Sequence, residues 1–121
     1  MFATRSWLSR VGLLNERYFL YYEELDWATR GKKLFKLGYA PKSLVFHKEG
    51  ASTGTAPSGG STLSIFHLNR SKVLFARQYM SAGHVAFVVA YSMFRALKFA
   101  LKGRFGAAGA VIAGLRSGVC A

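Results

Sequence analysis

Cysteine, proline and carboxylates are all scarce in this chain of 121 residues. The single cysteine, Cys120, excludes a disulfide framework and any all-cysteine zinc site. There are two prolines and five acids, Glu16, Glu23, Glu24, Asp26 and Glu49, with none after Glu49. No uninterrupted apolar stretch reaches the roughly 20 residues a spanning helix needs, so no transmembrane helix is expected. The opening MFATRSWLSR has neither the apolar core nor the small-residue cleavage site of a signal peptide. What the chain does have is 51% hydrophobic and 15% aromatic residues with a net charge of +12. That apolar fraction excludes a disordered basic tail, which would be aromatic-poor and rich in Pro and Ser. One domain at most is expected from this length.

The charge is uneven. Residues 1–50 carry nine Lys/Arg with all five acids, whereas residues 51–121 carry eight Lys/Arg and no acid. Three acids fall within four residues, in Tyr21-Tyr22-Glu23-Glu24-Leu25-Asp26-Trp27. Like charges packed so closely repel, which points either to a compensating cation or to proton handling. First-turn carboxylates that complement a helix dipole are the plainer explanation.

Along the chain, residues 6–10 predict one short helical turn ended by Gly12. Arg17 to Tyr22 (RYFLYY) reads as strand-like or as a buried extended approach to the acids. Glu23 to Leu37 predicts a helix with acids leading and Arg30, Lys32, Lys33 and Lys36 trailing, stopped at Gly38, with Gly31 interrupting the pattern. Ala40-Pro41 predicts a turn and Ser43 to His47 a short buried strand. Residues 49–62 form a Gly/Ser/Thr-rich loop of the length that lids, binding loops or linkers have. Leu63–Met80 and Val85–Lys102 predict helices, the second with Arg95, Lys98 and Lys102 on one face. Phe105–Leu115 is a further apolar stretch. The division expected is therefore 1–62, carrying the acids and the loop, and 63–121, made of amphipathic helices.

The stretch from Val11 to Ser52 resembles the C-terminal half of the catalytic domain of family 2 glycosyltransferases, in particular their rhamnosyltransferase-like branch. The resemblance is carried by Gly12-Leu13-Leu14-Asn15-Glu16-Arg17-Tyr18-Phe19-Leu20-Tyr21-Tyr22-Glu23-Glu24-Leu25-Asp26-Trp27, then Arg30, Gly38-Tyr39 and Val45-Phe46-His47-Lys48-Glu49-Gly50-Ala51-Ser52. Asn69-Arg70-Ser71-Lys72-Val73-Leu74-Phe75 is similar to a later helix of that family, and Gly114-Leu115-Arg116-Ser117-Gly118 to its closing phrase.

That resemblance implies an α/β fold, the C-terminal part of a nucleotide-diphospho-sugar transferase (GT-A type) domain, mainly helical with two or three short strands. It implies an inverting transfer of a sugar from a nucleotide-diphosphate donor to a saccharide or lipid-linked acceptor, in cell-surface polysaccharide synthesis. The base corresponds to Glu24, where the family usually has Asp, with Glu23 and Asp26 as alternatives. Glu16, Tyr22, Trp27 and Arg30 would meet the acceptor, although Tyr22 and Trp27 are equally at home in a core. Arg70 and Lys72 would pair with diphosphate oxygens or simply lie on a solvated helix face. His47 would help hold a divalent cation, Mg or Mn, or serve a structural role; His67 and His84 are read as structural or exposed.

The family's Asp-x-Asp is absent, since Asp26 is the only aspartate. The chain is therefore expected to be a C-terminal fragment, inactive without a nucleotide-binding half. The Arg95/Lys98/Lys102 stripe on an apolar helix suggests an anionic membrane surface, and hence a cytoplasmic protein peripheral at the inner face of the cell membrane. The alternative function is a non-catalytic basic protein that associates with membranes or binds nucleic acid. Against nucleic acid stand the clustered acids and the absence of a ribonucleoprotein phrase, zinc pattern or helix-turn-helix spacing.

Overall fold

The computed structural model describes residues 2–46 and 60–121, and among them it contains five α-helices and no strand. Helix α1 spans Arg5–Val11, α2 Glu23–Gly31, α3 Thr62–Tyr79, α4 Ala82–Leu101 and α5 Phe105–Cys120. The expected α/β architecture is thus corrected to an all-helical one.

Neither the strand-like reading of 17–22 nor the strand expected from Ser43 is met: a strand exists only as a partner in a ladder, and among the described residues no extended segment pairs with either. In the first, the Tyr18 amide instead closes a turn onto the Asn15 carbonyl at 3.1 Å. At its end Tyr21 and Tyr22 take φ values of 65° and 70°, the left-handed opposite of a pleat. In the second, the Ser43 amide donates to the Ala40 carbonyl at 3.0 Å, as the Ala40-Pro41 turn requires, and residues 43–46 are exposed, with no strand among the described residues. His47 itself and most of the 49–62 loop lie outside the described residues.

The N-terminal part is built on two tryptophans. Thr4 caps α1 by accepting from the Trp7 amide at 3.1 Å, and Gly12 ends it by donating to the Leu8 carbonyl at 3.1 Å. Trp7 is buried edge-on against Trp27 of α2, their ring centres 5.5 Å apart. Helix α2 stops at Gly31, not at Gly38. The amides of both Leu34 and Phe35 turn back to the Gly31 carbonyl, which brings the Phe35 ring to 5.2 Å from Trp7. Packing a half-buried Phe35 ring on Trp7 outweighs one more helical turn rich in lysine.

Helices α3, α4 and α5 share the main core. Ile65 and Val73 of α3, Ala96 of α4, and Ala107, Ala108, Val111 and Leu115 of α5 are buried together. Ser61 caps α3 by accepting from the Ser64 amide at 3.2 Å. Small residues dominate the α5 side, so α3 and α5 pack closely while α4 buries only Ser92 and Ala96. Although Arg95 and Lys98 interrupt its apolar run, α4 is long and apolar enough, by length and composition, to cross a membrane. The expectation of no such segment, drawn from uninterrupted apolar stretches, is corrected on that point.

Candidate functional site

The three clustered acids, all in the first turn of α2, are separated by the structure into different environments. Asp26 is fully buried. Its Oδ2 accepts from Arg30 Nε at 2.8 Å, one helical turn on, and its Oδ1 accepts from the Tyr79 hydroxyl at 2.5 Å. Arg30 has further donors on the Val11 carbonyl at 2.6 Å and the Leu13 carbonyl at 2.7 Å. Asp26 is therefore the joint at which α1, α2 and α3 meet. Glu24 is exposed to solvent, and Glu23 is half-buried with one carboxylate oxygen, Oε2, that has no hydrogen-bond partner among the described residues.

The approach to these acids is strained. Two consecutive non-glycine residues with positive φ cost on the order of 1–2 kcal/mol each, so neighbouring groups must hold them. The Ser71 hydroxyl donates to the Leu20 carbonyl at 2.9 Å, the Tyr22 ring packs on Phe75 at 5.4 Å, and the Asp26 amide donates to the Tyr22 carbonyl at 2.8 Å. Tyr22 thus faces α3, and burial raises the pKa of its phenol.

Two tyrosines that the sequence does not single out surround Asp26. Burial, its hydrogen bond to Asp26 and the charge of that carboxylate all raise the pKa of the Tyr79 phenol. Tyr18 is buried with a hydroxyl that has no hydrogen-bond partner among the described residues, and burial followed by the Asp26 charge pushes its pKa up to about 12, against opposing pulls from Arg17 and Arg30. Tyr79 lies 53 residues from Asp26, so no local spacing could have paired them.

Among the remaining expected site residues, Glu16 is exposed beyond α1 and Trp27 is buried, its indole N–H donating to the Gly12 carbonyl at 2.8 Å. Trp27 and Trp7 form one wall of an apolar groove of about 530 Å³ whose other side is Phe35 to Tyr39 with Val45. Arg70 ties elements together, donating to Ser117 Oγ at 3.2 Å and to the Arg17 carbonyl at 2.6 Å. Lys72 is half-buried, and burial with the nearby charge of Arg95 lowers its pKa. His67 sits between Phe19 and Phe66, its pKa lowered by burial and by Arg70.

The structure thus brings Tyr22, Glu23, Glu24, Asp26, Trp27 and Arg30 onto one short helix and its approach, and sets Arg70 and Lys72 on α3 behind it. The ligand expected of His47 lies outside the described residues. Among those described, no three His, Cys, Asp or Glu side chains gather to hold a cation. Both oxygens of Asp26 are engaged, by Arg30 and Tyr79. No family model matches the chain, and neither a curated protein nor a solved structure matches it.

Proposed function

We propose that this chain supplies the acceptor side of an inverting sugar transfer, acting with a nucleotide-binding half, and that Glu24 is its base. The Glu24 carboxylate takes the proton of an acceptor hydroxyl as that oxygen attacks the anomeric carbon. The new C–O bond forms while the bond from the anomeric carbon to the diphosphate oxygen breaks, and the nucleoside diphosphate leaves with the electron pair. A positioned base of this kind contributes roughly 10²–10⁴-fold to rate.

The observation carrying the proposal is the division of labour among the three acids. Asp26 is committed to Arg30 and Tyr79, whereas Glu24, on the same helical turn, is open to an incoming hydroxyl. Support comes also from the strained Tyr21-Tyr22 approach, since strain persists where surrounding structure fixes a site. The groove beside Trp27 offers an aromatic wall of the kind sugar rings stack on.

The test is release of nucleoside diphosphate from a panel of uridine- and deoxythymidine-diphospho sugars, with saccharide and lipid-linked acceptors, by the chain together with a nucleotide-binding half. Glu24→Gln should lower turnover by about 10²-fold or more with the melting temperature unchanged. Glu23→Gln should cost far less. Parental turnover by Glu24→Gln, or an equal loss in Glu23→Gln, would remove Glu24 from the role.

A further inference from the structure

We infer that the outer face of α4 is a docking surface for an anionic phospholipid bilayer, on which the helix lies flat in the headgroup region. This inference stands apart from the role of Glu24.

The helix has two faces that bury very differently. One side, with Ser92 and Ala96 at its centre, packs on α3 and α5. The opposite side exposes Phe87, Tyr91, Met93, Phe94, Leu97 and Leu101, with Phe87 at 69% and Leu101 at 79% exposure. Phe87 and Tyr91 stack on each other at 6.2 Å, so this is a continuous apolar strip and not scattered single residues. At helical spacing, Arg95, Lys98 and Lys102 fall together along one edge of that strip, all in its C-terminal half.

Past the end of α4, Arg104 joins them around a hollow of about 260 Å³ lined also by Tyr91, Phe94 and Phe99. The guanidinium groups of Arg104 and Arg95 lie over the Phe99 ring at 4.8 and 5.7 Å, and Lys98 Nζ lies 5.7 Å from the Phe94 ring. Their charged ends therefore lie beside aromatic rings at the C-terminal end of the strip, where cation and apolar surface meet as they do at a membrane interface. No Asp or Glu follows Glu49, so α4 itself carries no carboxylate beside Arg95 and Lys98. Charge and apolar area together match a surface with phosphates above and acyl chains beneath.

Two other occupants fit less well. A crossing orientation would carry α3, which packs on α4 and holds Asn69, Arg70, Lys72 and Arg77, into hydrocarbon. A nucleic acid would need its phosphates and bases received in a polar groove, but here the cations edge a mostly aliphatic and aromatic strip.

The experiment is co-sedimentation of the whole chain with vesicles of phosphatidylcholine alone and of phosphatidylcholine with phosphatidylglycerol. Binding should favour the anionic vesicles by about 10²-fold and weaken as salt is raised. Lys98→Gln and Lys102→Gln, both exposed, should each weaken binding roughly fivefold with unchanged helicity. Phe94→Ser should weaken binding to both vesicle types. Equal binding to neutral and anionic vesicles would overturn the inference. So would resistance to alkaline carbonate extraction, which marks a helix that crosses the bilayer. A dimer that occludes this face, or single-stranded RNA displacing the vesicles, would do the same.

Discussion

A carboxylate removed from water must be matched by donors, and Asp26 is matched from two directions, by Arg30 and by Tyr79. Tyr79→Phe removes one donor and leaves a buried charged oxygen short of a partner, which should cost about 1.5–3 kcal/mol. Asp26→Ala removes the acceptor of both and strands the half-buried guanidinium, for about 3–5 kcal/mol. Urea midpoints check both. The pair also sets an alkaline limit. In the unfolded chain a tyrosine ionises near pH 10, whereas Tyr79 and Tyr18 stay protonated well above that when folded, Tyr18 to about pH 12. Above about pH 10 the unfolded state therefore holds fewer protons than the folded one, and stability falls as pH rises. The decline should run from about pH 10 to 12, be absent at neutral pH, and be shallower in Tyr79→Phe. An unchanged alkaline slope in that variant would mean that Tyr79 does not carry the effect. The clustering of three acids at a helix start was legible in the sequence. Which of them is buried was not, because that depends on a hydroxyl 53 residues away.

At the scale of elements, α5 is held against α3 by what it omits. A Cβ on Gly118 would meet the Arg70 carbonyl oxygen at 2.8 Å and Val73 Cβ at 2.9 Å, and one on Gly114 would press on the Phe66 carbonyl oxygen and reach the Arg70 amide nitrogen at 3.2 Å. Rigid helix backbone stands opposite in both cases, so Gly114→Ala or Gly118→Ala should force the helices apart and cost about 1–3 kcal/mol. Gly109 faces open space, and Gly109→Ala should instead gain up to about 1 kcal/mol from helix propensity. Thermal melts of the three variants should therefore move in opposite directions. The closeness of this seam also lets Arg77 Nη1 donate to the Gly118 carbonyl at 3.0 Å, in the last turn of α5. Helix α3 was readable from Phe66, Arg70, Val73 and Arg77 at helical spacing and α4 from its long run of apolar and small residues, and the positions of Arg95, Lys98 and Lys102 on one face followed from spacings of three and four. The strands were not readable correctly. RYFLYY and SLVFH have the composition of strands, but composition cannot supply the neighbouring strand that a ladder requires.

Across the whole molecule, cohesion is unequal. The interior shared by α3, α4 and α5 is continuous, whereas α1 and α2 have only the Trp7–Trp27–Phe35 cluster of their own. What fastens that cluster to the remainder includes Tyr79 to Asp26, Ser71 to the Leu20 carbonyl and Arg70 to the Arg17 carbonyl, with ring contacts of Tyr22 on Phe75 and Phe19 on His67. Such bonds exchange for bonds to water and net about 1 kcal/mol when neutral and about 1.5–3 kcal/mol when one partner is charged. A part secured in this way opens locally before the helices beneath it separate. Amides of α2 should then exchange with deuterium at least about a hundredfold faster than those in the middle of α3, as read residue by residue in NMR. Tyr79→Phe should speed exchange in α2 and leave Val73 and Leu74 unaffected. Uniform protection across all five helices would show instead that the N-terminal part unfolds only with the whole, and that the Asp26 joint is as strong as the core it adjoins.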